Sequence, residues 1–185
     1  MSQEKSSLSR EEIVNALQKI SDELGRRDVK GELCLFGGSV MVLAFAARVS
    51  TKDVDAIFQP TRDIREAAGK VSTECGLPEN WLNDAAKGFV SPRHETVAGN
   101  LPQFPNLRLT MPTAEYLLAM KCLASRIGAV ATDADDVNDI VFLIRHLQLK
   151  NSAEVMELAA SYYPAARIPV KAQYLVEGLF AEGKI

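Results

Sequence analysis

Apolar positions in the first half of the chain recur with two alternating periods, and the order of those periods predicts the elements. Ile13, Leu17, Ile20 and Leu24 lie three or four apart. They follow Ser9-Arg10-Glu11-Glu12, a serine with glutamate three residues on, which is the form of a capping box. This predicts a helix over residues 9–26, ended by the charged Arg26-Arg27-Asp28. Residues 32–36 read as a short strand stopped by Gly37-Gly38, and residues 39–47, apolar all round, as a buried helix. Over residues 53–58, Val54, Ala56 and Phe58 alternate with Asp53 and Asp55, the period of a half-buried strand, which Pro60 closes. A helix opens at Thr61-Arg62-Asp63-Ile64-Arg65-Glu66 and runs toward Gly76-Leu77-Pro78. Residues 81–86 predict a short helix. Residues 88–106, rich in Gly, Pro and Asn, predict a long loop with a strand near Thr96. Residues 107–111 form a last strand, closed by Pro112.

After that proline the strand period disappears. Helices are expected over residues 113–127, 133–147, 152–162 and 170–180, the second carrying Val137, Ile140, Val141, Ile144 and Leu147 as a stripe. The expectation is an α/β (α+β) fold. Residues 1–111 form a small mixed sheet with flanking helices, and residues 112–185 a C-terminal helical subdomain.

Composition narrows the class. A chain of 185 residues, 47% hydrophobic, can bury a real core. A net charge of −3 gives no footprint for binding nucleic acid by bulk charge. Cys34, Cys75 and Cys122 show no paired spacing, which argues for reduced thiols. The first ten residues lack the apolar centre of a signal peptide, and no apolar run reaches membrane-span length. A cytoplasmic protein with no membrane partner is expected.

The candidate chemistry centres on Asp53 and Asp55. Side chains two apart on a strand share a face and stand roughly 6–7 Å apart along it. Two carboxylates so placed repel unless a cation or basic group intervenes. Mg²⁺ suits such a pair, since it takes few carboxylates and fills its shell with phosphate oxygens and water. The plainer reading is two solvent-facing acids that keep an edge strand from pairing. Upstream, Gly37 and Gly38 join a strand to a helix and permit close approach of phosphate to backbone N–H groups. Ser39 can bond a phosphate oxygen or simply cap the helix. The stretch lacks the Gly-Lys-Ser/Thr of a P-loop and the third glycine of a dinucleotide fingerprint. Arg48 and Lys52 flank the acid pair and can hold phosphate or offset its charge. Lys121 shares a helical face with Leu117, Met120 and Ala124, so its ammonium either points inward or snorkels out. Asp133, Asp135, Asp136 and Asp139 crowd a helix start, where the helix dipole alone accounts for them. Trp81 reads as a packing anchor before it reads as a platform for a base.

Leu35-Phe36-Gly37-Gly38-Ser39 and Thr51-Lys52-Asp53-Val54-Asp55 together resemble, in order and spacing, the nucleotidyltransferase superfold related to DNA polymerase beta. The resemblance is nearest to bacterial minimal nucleotidyltransferase-like proteins akin to abortive-infection toxins. It continues through Trp81-Leu82-Asn83-Asp84, Leu117 to Arg126 and Asp136-Val137-Asn138-Asp139-Ile140, covering residues 31–147. The resemblance implies a sheet of nucleotidyltransferase type, with Mg²⁺ or Mn²⁺ on Asp53 and Asp55. It implies the triphosphate of an NTP on Gly37, Gly38 and Ser39, with Arg48 and Thr51 beside it. It implies Lys121 at the phosphate or the reacting hydroxyl, so that Asp53, Asp55 and Lys121 are the catalytic set. The implied reaction transfers NMP to a hydroxyl of tRNA, a protein or a small molecule, and the toxin analogy adds an antitoxin partner. One departure stands out. Active members usually carry a third carboxylate on a later strand, whereas residues 107–111 offer Arg108 and Thr110. Glu95 is the substitute if residues 93–98 form a strand. The alternative is therefore a catalytically impaired nucleotide- or partner-binding module. A plainer reading makes the chain a scaffold whose Tyr162, Tyr163, Leu175, Leu179 and Phe180 serve core or interface.

Overall fold

The computed structural model describes residues 7–125 and 134–185. They fall into two compact units, one of residues 7–88 and 96–111, the other of residues 89–95, 112–125 and 134–185.

The first unit is mixed α/β. In chain order it contains β1 (Leu8–Ser9), α1 (Arg10–Arg26), β2 (Gly31–Leu35), α2 (Gly37–Leu43), β3 (Ser50–Thr51) and β4 (Val54–Gln59). These are followed by α3 (Thr61–Cys75), β5 (Leu82–Asn83), β6 (Thr96–Val97) and β7 (Leu107–Pro112). Five strands form one sheet in the order β5-β4-β2-β7-β6. β2 runs antiparallel to β4 and parallel to β7, and β5 runs parallel to β4. β1 and β3 pair separately, with Leu8 opposite Thr51.

Period-2 alternation sorts the sheet into two faces. Leu33 and Leu35 of β2, Val54, Ala56 and Phe58 of β4, and Leu107 and Leu109 of β7 are buried. So are Ile13, Leu17, Ile20 and Leu24 of α1 and Ile64, Ala67 and Val71 of α3. Each fully buried large aliphatic side chain contributes about 1.5–3 kcal/mol, so this shared core dominates the unit's stability. The alternate positions make the second face. Asp55 and Ile57 on β4, Cys34 on β2 and Thr110 on β7 are half-buried, and Glu32 and Arg108 are exposed. Register places Cys34 opposite both Ile57 and Thr110, and Glu32 opposite Gln59 and Arg108. The capping box at Ser9 forms in full: its Oγ accepts from the Glu12 N–H, and its own N–H donates to Glu12.

Two local expectations need correction. The helix expected over residues 39–47 begins at Gly37 and ends at Leu43, because Arg10 donates to the carbonyls of Val42 and Leu43 and ties off its last turn. The short helix expected over residues 81–86 is instead strand β5, then a 3₁₀ turn over Ala85–Phe89. Tertiary partners decide this. Trp81 is fully buried, its indole N–H donates to the Ala68 carbonyl of α3 at 3.1 Å, and its own carbonyl accepts from the Val54 N–H at 2.7 Å. An open edge of β4 and an aromatic anchor outweigh local helical preference.

The second unit holds α4 (Ala114–Ala124), α5 (Ala134–His146), α6 (Ser152–Tyr162) and α7 (Val170–Ala181). Thr113 and Asn151 cap α4 and α6 through their side-chain oxygens. Residues 126–127 of the first expected helix and residue 133 of the second lie outside the described residues. Residues 89–95 join this unit because tyrosines hold them. The Tyr116 hydroxyl accepts from the Ser91 N–H at 2.8 Å, and the Tyr163 hydroxyl donates to the Phe89 carbonyl at 2.5 Å. Tyr162, Tyr163 and Leu179 are buried, which makes them core, while Leu175 and Phe180 are half-buried. Among the described residues no helix is long and apolar enough to cross a membrane.

Candidate functional site

The site is built at the C-terminal end of β2 and the N-terminal end of β4. Because these strands are antiparallel, the end of one meets the start of the other: the Phe36 N–H donates to the Asp55 carbonyl at 2.8 Å. The chain then turns at Gly37, whose φ of 58° lies in the left-handed region that favours glycine. A methyl built on Gly37 would stand 3.3 Å from Asp55 Oδ2, so the acid side chain leans directly on the bend. Gly38 serves a different purpose. A methyl there would overlap Thr51 Oγ1 and reach 3.1 Å from Arg48 Nη1. Its missing side chain is what lets Thr51 and Arg48 close on the turn. Asp55, Gly37, Gly38, Arg48 and Thr51, spread over 19 residues of sequence, therefore converge in one place.

Asp53 precedes β4 and is half-buried. Its Oδ2 accepts from Asn83 Nδ2 at 3.1 Å, and Asn83 is the parallel register partner of Asp55 on β5. Burial pushes the Asp53 carboxyl above its ordinary range, while the Asn83 hydrogen bond and the nearby Lys52 charge pull the other way.

Other expected site residues sit differently. Ser39 is 0% exposed, and its hydroxyl donates to the Phe36 carbonyl at 2.8 Å rather than capping α2. Lys121 belongs to the helical unit. There its Nζ lies 2.6 Å from Asp136 and 2.7 Å from Asp139, a carboxylate only 2% exposed. The inward-pointing alternative for this lysine is the one the fold adopts. Glu95 also lies in the helical unit, just before β6. It accepts from the Tyr162 hydroxyl and from Arg93, both at 2.7 Å, and these bonds hold its carboxyl below the usual range. On the Asp55 face of β7 stand Arg108, ion-paired with Glu32 at 3.5 Å, and Thr110, hydrogen-bonded to Cys34. Trp81 is a packing anchor.

Asn83 is the site residue to which sequence reasoning gave no role. The Trp-Leu-Asn-Asp stretch reads locally as a helix, and that reading hides the adjacency of Asn83 to Asp53.

Among the described residues no three His, Cys, Asp or Glu side chains gather as a metal-holding group. A carboxylate pair alone is the donor set of a Mg²⁺ ion whose remaining ligands come from phosphate and water, not of a cage built by protein alone. A separate cavity of ≈ 450 Å³ is lined by Lys30, Glu32, Gln103, Phe104 and Arg108 among others, at the start of β2 and β7. Asp53 and Asp55 are not among its lining residues.

Comparison of the chain with protein-family models, curated proteins and solved structures finds no match.

Proposed function

We propose that the protein is a Mg²⁺-dependent nucleotidyltransferase that moves NMP from an NTP to an acceptor hydroxyl. The observation that carries this reading is the convergence of Asp55 on the glycine bend, with Oδ2 3.3 Å from where a Gly37 side chain would begin. The acid strand and the glycine turn are then one site rather than two local features. In this reading Asp53 and Asp55 hold the ion, which when bound neutralises charge on the triphosphate. The bend and Arg48 position the phosphates, and Thr51 packs behind the bend. The protein contributes placement and charge, not a covalent intermediate. RNA, a protein and a small molecule all remain acceptor classes for this chemistry, and an antitoxin partner belongs to the same proposal.

One observation favours a second reading. Arg108 and Thr110 occupy the Asp55 face of β7, and Lys121 is engaged by Asp136 and Asp139. A site with two acids and no third can bind a metal–nucleotide complex without turning it over.

Incubation with labelled NTPs, Mg²⁺ or Mn²⁺, and total RNA plus lysate separates the readings. Label transfer by the wild type, lost in Asp53→Ala/Asp55→Ala, supports the enzyme. Metal-dependent nucleotide binding without transfer supports the module. Indifference to both metal and nucleotide overturns both.

A further inference from the structure

We propose that Asn83 is a positioning residue that sets the orientation of the Asp53 carboxylate for a divalent ion. This rests on the metal-site reading above and assigns a role to a residue outside the acid–glycine constellation. The case is geometric. The Asn83 amide is used at both ends: Oδ1 accepts from the Ala85 N–H at 3.0 Å, and Nδ2 donates to Asp53 Oδ2 at 3.1 Å. The first bond fixes which end of the amide faces Asp53, because only the NH₂ group can donate. The backbone carrying Asn83 is itself held. Trp81 is pinned to α3 through its indole N–H, and Leu82 is buried. β5 is in register with β4. Asp53 lies just before β4, where ladder pairing does not reach it. The Asn83 bond fixes one carboxylate oxygen and with it the plane of the carboxylate. A neutral donor can do this without spending the negative charge that a cation needs, which an arginine or lysine in its place would neutralise.

The test uses the full chain and Mn²⁺, with free ion followed by EPR. Loss of an outer partner to a metal ligand typically weakens the metal by about 10–100-fold, and that is the expected effect of Asn83→Ala. Asp84→Ala removes the neighbouring exposed ion pairs to Arg65 and Lys87 and is expected to stay within about 2-fold, because such pairs contribute little. Asn83→Ser, which keeps a donor, is expected to recover part of the loss. If Asn83→Ala is not folded by circular dichroism, Asn83→Leu keeps the volume, removes both polar atoms and gives the same readout. Wild-type affinity in the donor-free variant overturns the assignment. So does an equal loss in Asp84→Ala, which would make segment rigidity the cause. No Mn²⁺ binding by the wild type overturns the metal reading and this inference with it.

Discussion

Asp53 and Asp139 are both carboxylates drawn out of water, yet the two units treat them in opposite ways. In the helical unit, Asp139 is 2% exposed and its charge is answered by Lys121 Nζ at 2.7 Å. In the α/β unit, Asp53 is half-buried and hydrogen-bonded to a neutral amide at 3.1 Å, with the Lys52 charge nearby. A charge balanced by a neighbouring side chain belongs to the architecture. A charge raised in energy by burial and left with a neutral partner is suited to something that arrives from outside. The contrast therefore separates acids that hold the fold from acids that are candidates for chemistry.

The sharpest test is Asp53→Ala/Asp55→Ala. Label transfer is expected to fall by at least about 100-fold, the scale on which charge-stabilising groups act, while the thermal unfolding midpoint holds. A collapse of folding together with activity would erase the distinction between the units. Next comes Lys121→Met. It leaves Asp139 buried without its cation and should cost about 3–5 kcal/mol in urea unfolding, with Lys121→Met/Asp139→Leu recovering most of it. A neutral result would move Lys121 out of the architecture and reopen its catalytic role. Gly38→Ala is smaller. The added methyl overlaps Thr51 Oγ1 and should cost about 1–3 kcal/mol, relieved in part by Thr51→Ala. An unrelieved cost would show that Thr51 does not close on the bend.

The smallest effect is a pH dependence. The Asp53 carboxyl in the fold titrates above its ordinary value of 3.8, because burial disfavours the charged form. Folding therefore favours the protonated acid, and stability falls as pH rises from the unfolded value through the folded one. Asp53→Asn should accordingly raise the unfolding midpoint slightly at pH 7, and the gain should shrink toward zero as pH drops to about 3.8. A gain that persists in acid would trace the change to packing rather than charge.

Much of this molecule is legible in its sequence wherever a local rule has no competitor. The Ser9–Glu12 capping box, the stripe from Ile13 to Leu24, and the alternation of Val54, Ala56 and Phe58 all read directly as elements. So does the α6 span, whose Asn151 cap sits at its first turn. The failures fall where a distant partner decides. Nothing local announces that Arg10 will end α2 at Leu43, or that Trp81 will dock on α3 and turn the next residues into an edge strand. Ser39 next to two glycines looks like a phosphate ligand. It is buried, with its hydroxyl on the Phe36 carbonyl three residues back, a local contact that the sequence pattern does not reveal.

The sequence alone determined which side chains carry charge on which face of β4, because strand periodicity leaves no freedom once Val54, Ala56 and Phe58 must be buried. It also determined that a glycine pair stops β2. Only the tertiary structure decided that Asp55 leans on Gly37, that Thr51 and Arg48 fill the space Gly38 leaves, and that Asn83 reaches Asp53. Each of those contacts joins residues far apart in the chain. Their distances follow from strand register and from how tightly the core packs, neither of which is written in any local pattern.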